Sequence, residues 1–562
     1  YPPWFSVDLI KNIRKKDRLH KRFKKTGDHT DYINFSALRA SIKYQSKLLY
    51  KNCIRSTEEK VTNDPKLIWT YINSRKNRSR IPNIITDQQN LQQEGSDAVV
   101  NAFSTYFGSV YINSTPQDNG NFNNGSTSLE YVNIKSISEE DITEAILKLN
   151  NKLTSGVDQI PSFIVKDCRS VFVRPLHMLF NLSLKTGTFP NIWKQARICP
   201  VFKKGDPTMV VNYRPISILS NLSKVFESIL HKYIYNAIKL NISISQHGFM
   251  ERRSTITNLV TFCQYLSENM DTQIQTDAIF TDFSKAFDSI DHYILLQKLE
   301  KFGMSTSLLE LFKSYLWNRY QFVEFQGVRS KYVVPTSGVP QGSNLGPLLF
   351  LIFIDDLPGL LNCRKLLFAD DLKLCYKVTS ISDCHLLQND IYTLVDWCKH
   401  NRLELNIDKC FIITFTKSKS PIMFFYTINN NILIRKTSIK DLGVLFDSEL
   451  SFSGHITSIV ATAFKTLGFL FRNCKDFTNI QCLIALYNGL IRSKLEYGCL
   501  VWSPIHKVYI QQIENIQRKF LKYLAFKEDG FYPHRGFSQN ILVDRFHVTF
   551  LEHRRNNISI KF

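Results

Sequence analysis

Long apolar runs are scarce in this 562-residue chain. The longest of note, Pro347 to Ile354, falls far short of the ~18 residues that a membrane-crossing helix requires. The sequence therefore predicts no membrane span and no membrane partner. No secretory signal opens the chain. The twelve cysteines form no Cys-x-x-Cys pair and no zinc-knuckle spacing, so they read as buried thiols of an intracellular protein. Tandem repeats are lacking too. Acidic residues are in the minority, 49 against 71 Lys and Arg, for a net charge of +22. That excess calls for a polyanionic partner, nucleic acid before an acidic membrane surface; the plainer alternative is a set of solvated Lys faces. There is no initiator Met: the chain opens Tyr1-Pro2-Pro3-Trp4 and reads as cut from something longer.

Residues 1–85 are polar, basic and helical in pattern, and Lys11 to Lys25 holds nine Lys or Arg against one Asp. Such a stretch is a solvated helix face or a phosphate contact. Residues 115–128, rich in Asn and Gly, have the composition of a flexible linker. From about 137 the pattern turns globular, with Ser136 or Ser138 able to cap a helix running to about Asn150. Short apolar strands alternate with helices between 270 and 450, an α+β arrangement. Beyond 451 apolar residues recur at helical spacing, from Ile456 to Phe471 and from Ile513 to Leu524, as core-facing stripes do. Three regions follow: 1–135, a basic helical connector and linker; 136–450; and 451–562, helical.

Two carboxylate sites stand out. Ala278 to Thr281 reads as a strand that delivers Asp282, with Phe287 and Asp288 close behind; a helix follows, with Ile294, Leu295, Leu299 and Phe302 inward, closing at Gly303. Phe368-Ala369-Asp370-Asp371 is flanked by apolar residues on both sides and reads as a hairpin with its carboxylates at the turn. Adjacent carboxylates repel one another. A hard divalent cation such as Mg²⁺ relieves that repulsion and prefers oxygen ligands. Three Asp from two turns suit two ions ~4 Å apart, as in-line phosphoryl transfer needs. An Asp pair alone is weak evidence, because Asp355-Asp356 is a second one in the same chain.

Here the sequence resembles a known family. Phe368-Ala369-Asp370-Asp371 is similar to the Phe/Tyr-x-Asp-Asp box of reverse transcriptases, and Asp282 with Phe287 to their first carboxylate box. Ser337-Gly338-Val339-Pro340-Gln341-Gly342-Ser343 resembles the third box, in the right order. Asn212 to Ser217 resembles the fingers motif of non-LTR (LINE-type) retrotransposon enzymes. Leu405-Asn406-Ile407-Asp408-Lys409 and Leu442-Gly443-Val444 resemble the boxes that close the palm. Leu495-Glu496-Tyr497-Gly498 with Val501-Trp502 resembles the thumb of the jockey-like clade. The resemblance covers about 136–525. Two positions depart from it: Arg252 stands where Gly is usual, and Asp355 where Asn is more common.

The resemblance implies a right-hand polymerase of fingers, palm and thumb, with 136–450 as fingers and palm, that copies RNA into DNA at a nicked target. It implies Asp282, Asp370 and Asp371 as ligands of two Mg²⁺ ions, with Mn²⁺ a substitute. Lys203, Lys204 and Arg214 would hold the triphosphate, Phe287 would exclude a 2′-hydroxyl, Gln341 and Gly342 would contact template and nucleotide, and Lys409 would protonate pyrophosphate. Implied partners are an RNA template, a DNA primer or target, dNTPs and the element's own RNA-binding protein, in a ribonucleoprotein of nucleus and cytoplasm. An endonuclease would precede the polymerase, and nothing before residue 136 offers such a site. The alternative is a catalytically dead nucleic-acid-binding relic.

Overall fold

The computed structural model describes residues 1–75, 81–112 and 132–562. The expected linker at 115–128 lies outside the described residues. The chain divides into two compact units: Tyr1–Ser79 with Gly443–Phe446 and Ser451–Phe562, and Arg80–Leu442 with Asp447–Leu450.

The larger unit is built on a five-stranded sheet, ordered Ile434–Arg435, Phe411–Phe415, Gln275–Thr281, Asp371–Val378, Arg364–Phe368. The central strand, Gln275–Thr281, is buried at every position, and both its neighbours run antiparallel to it. Thr281 pairs with Leu372, so the strand delivers Asp282 beside Asp371. Helices Thr255–Asp271 and Ile381–His400 pack on the sheet. The apolar run noted in the sequence is helix Gly346–Ile354, buried on every side but Pro347, which explains why it has no polar face. Ser138 caps helix Glu139–Leu147 in a capping box with Asp141, as its position ahead of the apolar pattern predicts.

A second sheet in this unit is ordered Tyr213–Ile218, Gln195–Phe202, Tyr320–Phe325, Val328–Arg329. Helix Ser96–Gly108 packs on it, joining Val99, Val100, Phe103 and Phe107 to the core of Ile198, Tyr213 and Val323. The connector boundary expected at 135 is thus corrected. Residues 81–112 belong to this unit, because the apolar stripe of that helix has a sheet to cover.

In the other unit, helices Val7–Thr26 and His29–Asn63 form a hairpin. Gly27 stops the first in the left-handed conformation, and Asp28 caps the second through the Thr30 amide. Helix His29–Asn63 packs against Ile480–Tyr487. There the buried Glu58 accepts hydrogen bonds from the amides of Thr478, at 2.5 Å, and Asn479, at 2.8 Å. The first and last parts of the chain, read from sequence as separate regions, therefore share one core. The stripe predicted for Ile513, Ile516, Phe520 and Leu524 is buried on helix Lys507–Asp529. In helix Ser453–Asn473, Ile456, Ala463, Leu467 and Leu470 are buried, while Phe464 is 36% exposed. One expectation needs correction: this 21-residue helix is long and apolar enough to cross a membrane by length and composition. Its small residues and sparse charges escape a search for unbroken apolar runs; in the structure its buried face packs on Lys507–Asp529.

Candidate active site

The turn between strands Arg364–Phe368 and Asp371–Val378 holds two residues, because Phe368 pairs with Asp371. Ala369 and Asp370 make the bend, and Asp371 starts the return strand. The segment that follows helix Ile381–His400 supports Asp282 from the other side. The Asn406 amide donates to the Asp282 carbonyl at 2.8 Å, and the Ser284 amide to the Glu404 carbonyl at 2.7 Å. The 3₁₀ turn Ile407–Lys409 then brings Lys409 Nζ to 2.5 Å from Asp282 Oδ2. The boxes around Asp282 and Lys409, 127 residues apart in sequence, meet as an ion pair.

One pocket gathers the residues predicted for the site: Asp282, Asp370, Asp371, Phe287, Gln341, Gly342, Lys203, Lys204, Arg214 and Lys409 all line it. Lys203, Lys204 and Arg214 are exposed, on the strand pair Gln195–Phe202 and Tyr213–Ile218 or the loop between. Although Lys203 reaches solvent, the surrounding protein strips part of its hydration and, with the neighbouring charges of Arg214 and Lys409, lowers its ammonium below its ordinary value. The Phe287 ring stacks on Phe350, centroids 4.6 Å apart, with Phe249 edge-on at 6.2 Å. The Gln341 carbonyl accepts from the Ser217 amide at 2.8 Å. Gly342 stands at φ +120°, and a Cβ there would lie 2.7 Å from the Ser217 carbonyl oxygen. Only glycine allows this loop to lie against the strand.

The carboxylates are crowded. Asp370 is raised from its ordinary range by loss of hydration and then by the charge of Asp282. Asp371 keeps a solvent-facing side, yet the surrounding protein strips enough of its hydration, with the charges of Asp370, Asp441 and Asp282 adding, to push it up to about 6. Among the described residues no three His, Cys, Asp or Glu side chains are disposed to hold a metal ion as they stand; Asp282 is engaged by Lys409. The donor set nonetheless suits a divalent cation: three acidic oxygen donors in one pocket, two of them held against their own ionisation by lost hydration and then by neighbouring carboxylate charge.

Sequence reasoning missed three contributors. Asp288 accepts from Gln341 Nε2 at both carboxylate oxygens, at 2.9 and 2.8 Å; burial pushes its carboxyl up to about 6. Its place six residues after Asp282, in the same box, was the available signal. Lys285 and Tyr106 line the same pocket, the Lys285 ammonium 5.3 Å from the Tyr106 ring centre; nothing in the local pattern of helix Ser96–Gly108 announces Tyr106. The two departures from the family pattern are accommodated differently. Asp355 accepts from the Ser243 amide at 2.8 Å. Arg252 takes φ +60°, the conformation that glycine adopts without cost.

Paired carboxylates on a sheet, with cations and a glycine loop on the same pocket, are the groups that metal-assisted phosphoryl transfer draws on. Comparison with known proteins makes this specific. Residues 201–469 match the family described as reverse transcriptase (RNA-dependent DNA polymerase). It is 28% identical over 450 residues to the probable RNA-directed DNA polymerase from transposon BS of Drosophila melanogaster, covering 77% of this chain and 49% of that protein. It is 27% identical over 408 residues to the RNA-directed DNA polymerase from mobile element jockey of the same fly, covering 70% and 44%. To the probable RNA-directed DNA polymerase from transposon X-element it is 26% identical over 397 residues, covering 68% and 43%. The chain spans a little under half the length of these relatives.

Proposed function

We propose that this chain is the polymerase-bearing part of a non-LTR retrotransposon protein, a right-hand enzyme that copies the element's RNA into DNA from a primer at a nicked target. The observation that carries this reading is the convergence of Asp282, Asp370 and Asp371 with Lys203, Lys204 and Arg214 on one pocket. The three carboxylates would hold two Mg²⁺ ions, or Mn²⁺ in their place, which when bound activate the primer 3′-hydroxyl and stabilise the leaving pyrophosphate. Lys203, Lys204 and Arg214 neutralise the triphosphate oxygens. Phe287, braced by Phe350, forms the floor under the sugar and leaves no room for a 2′-hydroxyl. Gln341, its amide held by Asp288, presents its remaining oxygen to the nucleotide and template, and Gly342 keeps the backbone close. Lys409 gives a proton to the departing pyrophosphate once Asp282 no longer holds its ammonium. The setting is a ribonucleoprotein that moves between cytoplasm and nucleus and includes the element's own RNA-binding protein.

Primer extension with dNTPs on an RNA template tests the reading. The chain is expected to extend the primer in Mg²⁺, and Asp370→Asn to abolish extension while RNA binding persists, because the basic surface is untouched. Absence of extension by the unaltered chain, or normal extension by Asp370→Asn, overturns it.

A further inference from the structure

The turn that carries Asp370 has the wrong residue for its shape. Its first central residue, Ala369, stands at φ +56°, while Asp370 does not share the left-handed conformation. A two-residue hairpin turn with positive φ at the first position ordinarily places glycine there. Ala369 is buried, so its strained backbone cannot relax toward solvent. Something must hold it.

The segment Ser245–Gly248 supplies the holder. It runs beside the outer strand of the hairpin. The Leu367 amide donates to the Ser245 carbonyl and the His247 amide to the Leu367 carbonyl, each at 2.9 Å. Between these bonds the Gln246 side chain, 2% exposed, reaches the bend. Its Oε1 accepts from the Ala369 amide at 2.9 Å and from the Gly248 amide at 2.8 Å, and Nε2 lies 3.4 Å from the Ala369 carbonyl oxygen. The approach is close enough that a Cβ on Gly248 would meet the Ala369 nitrogen at 2.2 Å. Asn258 adds a further tie, donating to the Leu367 carbonyl at 3.0 Å while its Oδ1 accepts from the buried Lys373 ammonium at 2.6 Å.

We propose that Gln246 is a positioning residue for the reaction: by accepting from the Ala369 amide it locks the bend and fixes the direction in which Asp370 and Asp371 leave it. The proposal rests on the polymerase reading, since it assigns Gln246 to the geometry of that site. Two buried N–H groups, from Ala369 and Gly248, have this one oxygen as their acceptor, and a buried donor left without one is costly. An alternative turn that relieves Ala369 would lose that bond, so the strained form is retained. Small misplacements of reacting groups have large kinetic effects, which gives an amide bond outside the pocket its leverage.

Gln246→Met keeps length and bulk and removes the acceptor. It is expected to lower kcat for primer extension on the order of 10²-fold, with KM for primer–template unchanged. Hydrogen–deuterium exchange should rise in the peptide spanning 366–372. In an Ala369→Gly background, where the bend needs no lock, the same substitution should cost less than about tenfold. Gln246→Glu, which keeps the acceptor, should retain the protection and serves if the Met variant does not fold. Equal kcat losses in both backgrounds, an unchanged kcat, or unaltered exchange in Gln246→Met overturns the assignment. If the unaltered chain extends no primer, the polymerase reading fails, and the exchange measurement alone decides whether Gln246 locks the bend.

Discussion

Asp288 shows how a residue beside the reacting groups sets their terms. Its carboxyl is buried and pushed up to about 6, against an ordinary value near 4. An acid raised on folding favours the fold while protonated. That contribution is complete below the ordinary value and is lost as pH climbs through about 6. At neutral pH the charge on Asp288 therefore costs stability, offset in part by the two bonds from Gln341. Asp288→Asn is expected to raise the melting temperature at pH 8 and to leave it nearly unchanged at pH 4; equal shifts at both values would refute the argument. Phe287 is tested by its selectivity. Pressed against Phe350, it has little freedom to move from an added hydroxyl. Phe287→Ala is expected to reduce the kcat/KM ratio of dNTP over rNTP by at least about tenfold, and an unchanged ratio would return the ring to a packing role.

At the scale of elements, helix Val7–Thr26 is the clearest charged surface. Eight of the nine cations between Lys11 and Lys25 are exposed, and Arg22 alone of them pairs with a buried carboxylate, that of Asp31. Neutralising Arg14, Lys15, Lys21 and Lys24 together should weaken RNA binding and flatten its dependence on salt, by roughly 0.7 in log–log slope per lost contact. An identical slope would show a merely solvated face. The elements also show what a sequence makes legible. The strand into Asp282, the hairpin at Asp370 and the helix capped by Ser138 were readable because each is specified by neighbours within a few residues. Helix Ser96–Gly108 was hidden because its partners, Tyr213 and Val323, lie more than a hundred residues away. Gln246 was hidden for the same reason: its meaning depends on a bend 123 residues further on. Lys409 was found by motif, but its ion pair with Asp282 follows from no local pattern.

For the whole molecule, the main surprise is that helices at the two ends of the chain share a core. Ile54, Val61, Ile68 and Ile72 are buried there, and Trp69 stacks on Phe469 with centroids 5.4 Å apart. Glu58 is one polar link, beside the Tyr50 hydroxyl that donates to Asp476, and two amides depend on it. Glu58→Ala is expected to destabilise this unit by about 1–3 kcal/mol, the loss of two hydrogen bonds to a charged group. Exchange at residues 478–487 should accelerate while exchange in the sheet around Asp282 stays the same. Unchanged exchange at 478–487 would show that the link carries no weight. The shared core also imposes an order on synthesis. The N-terminal helices leave the ribosome roughly 400 residues before Ile480–Tyr487 is made, an interval of about 20–80 s at common elongation speeds. Throughout it, helix His29–Asn63 lacks the partner helix Ile480–Tyr487, while the segment that contains the sheet around Asp282 can already close. A nascent chain of this kind is completed from the middle outward. Until Ile480–Tyr487 is made, the apolar face of helix His29–Asn63 is a surface on which a chaperone would act.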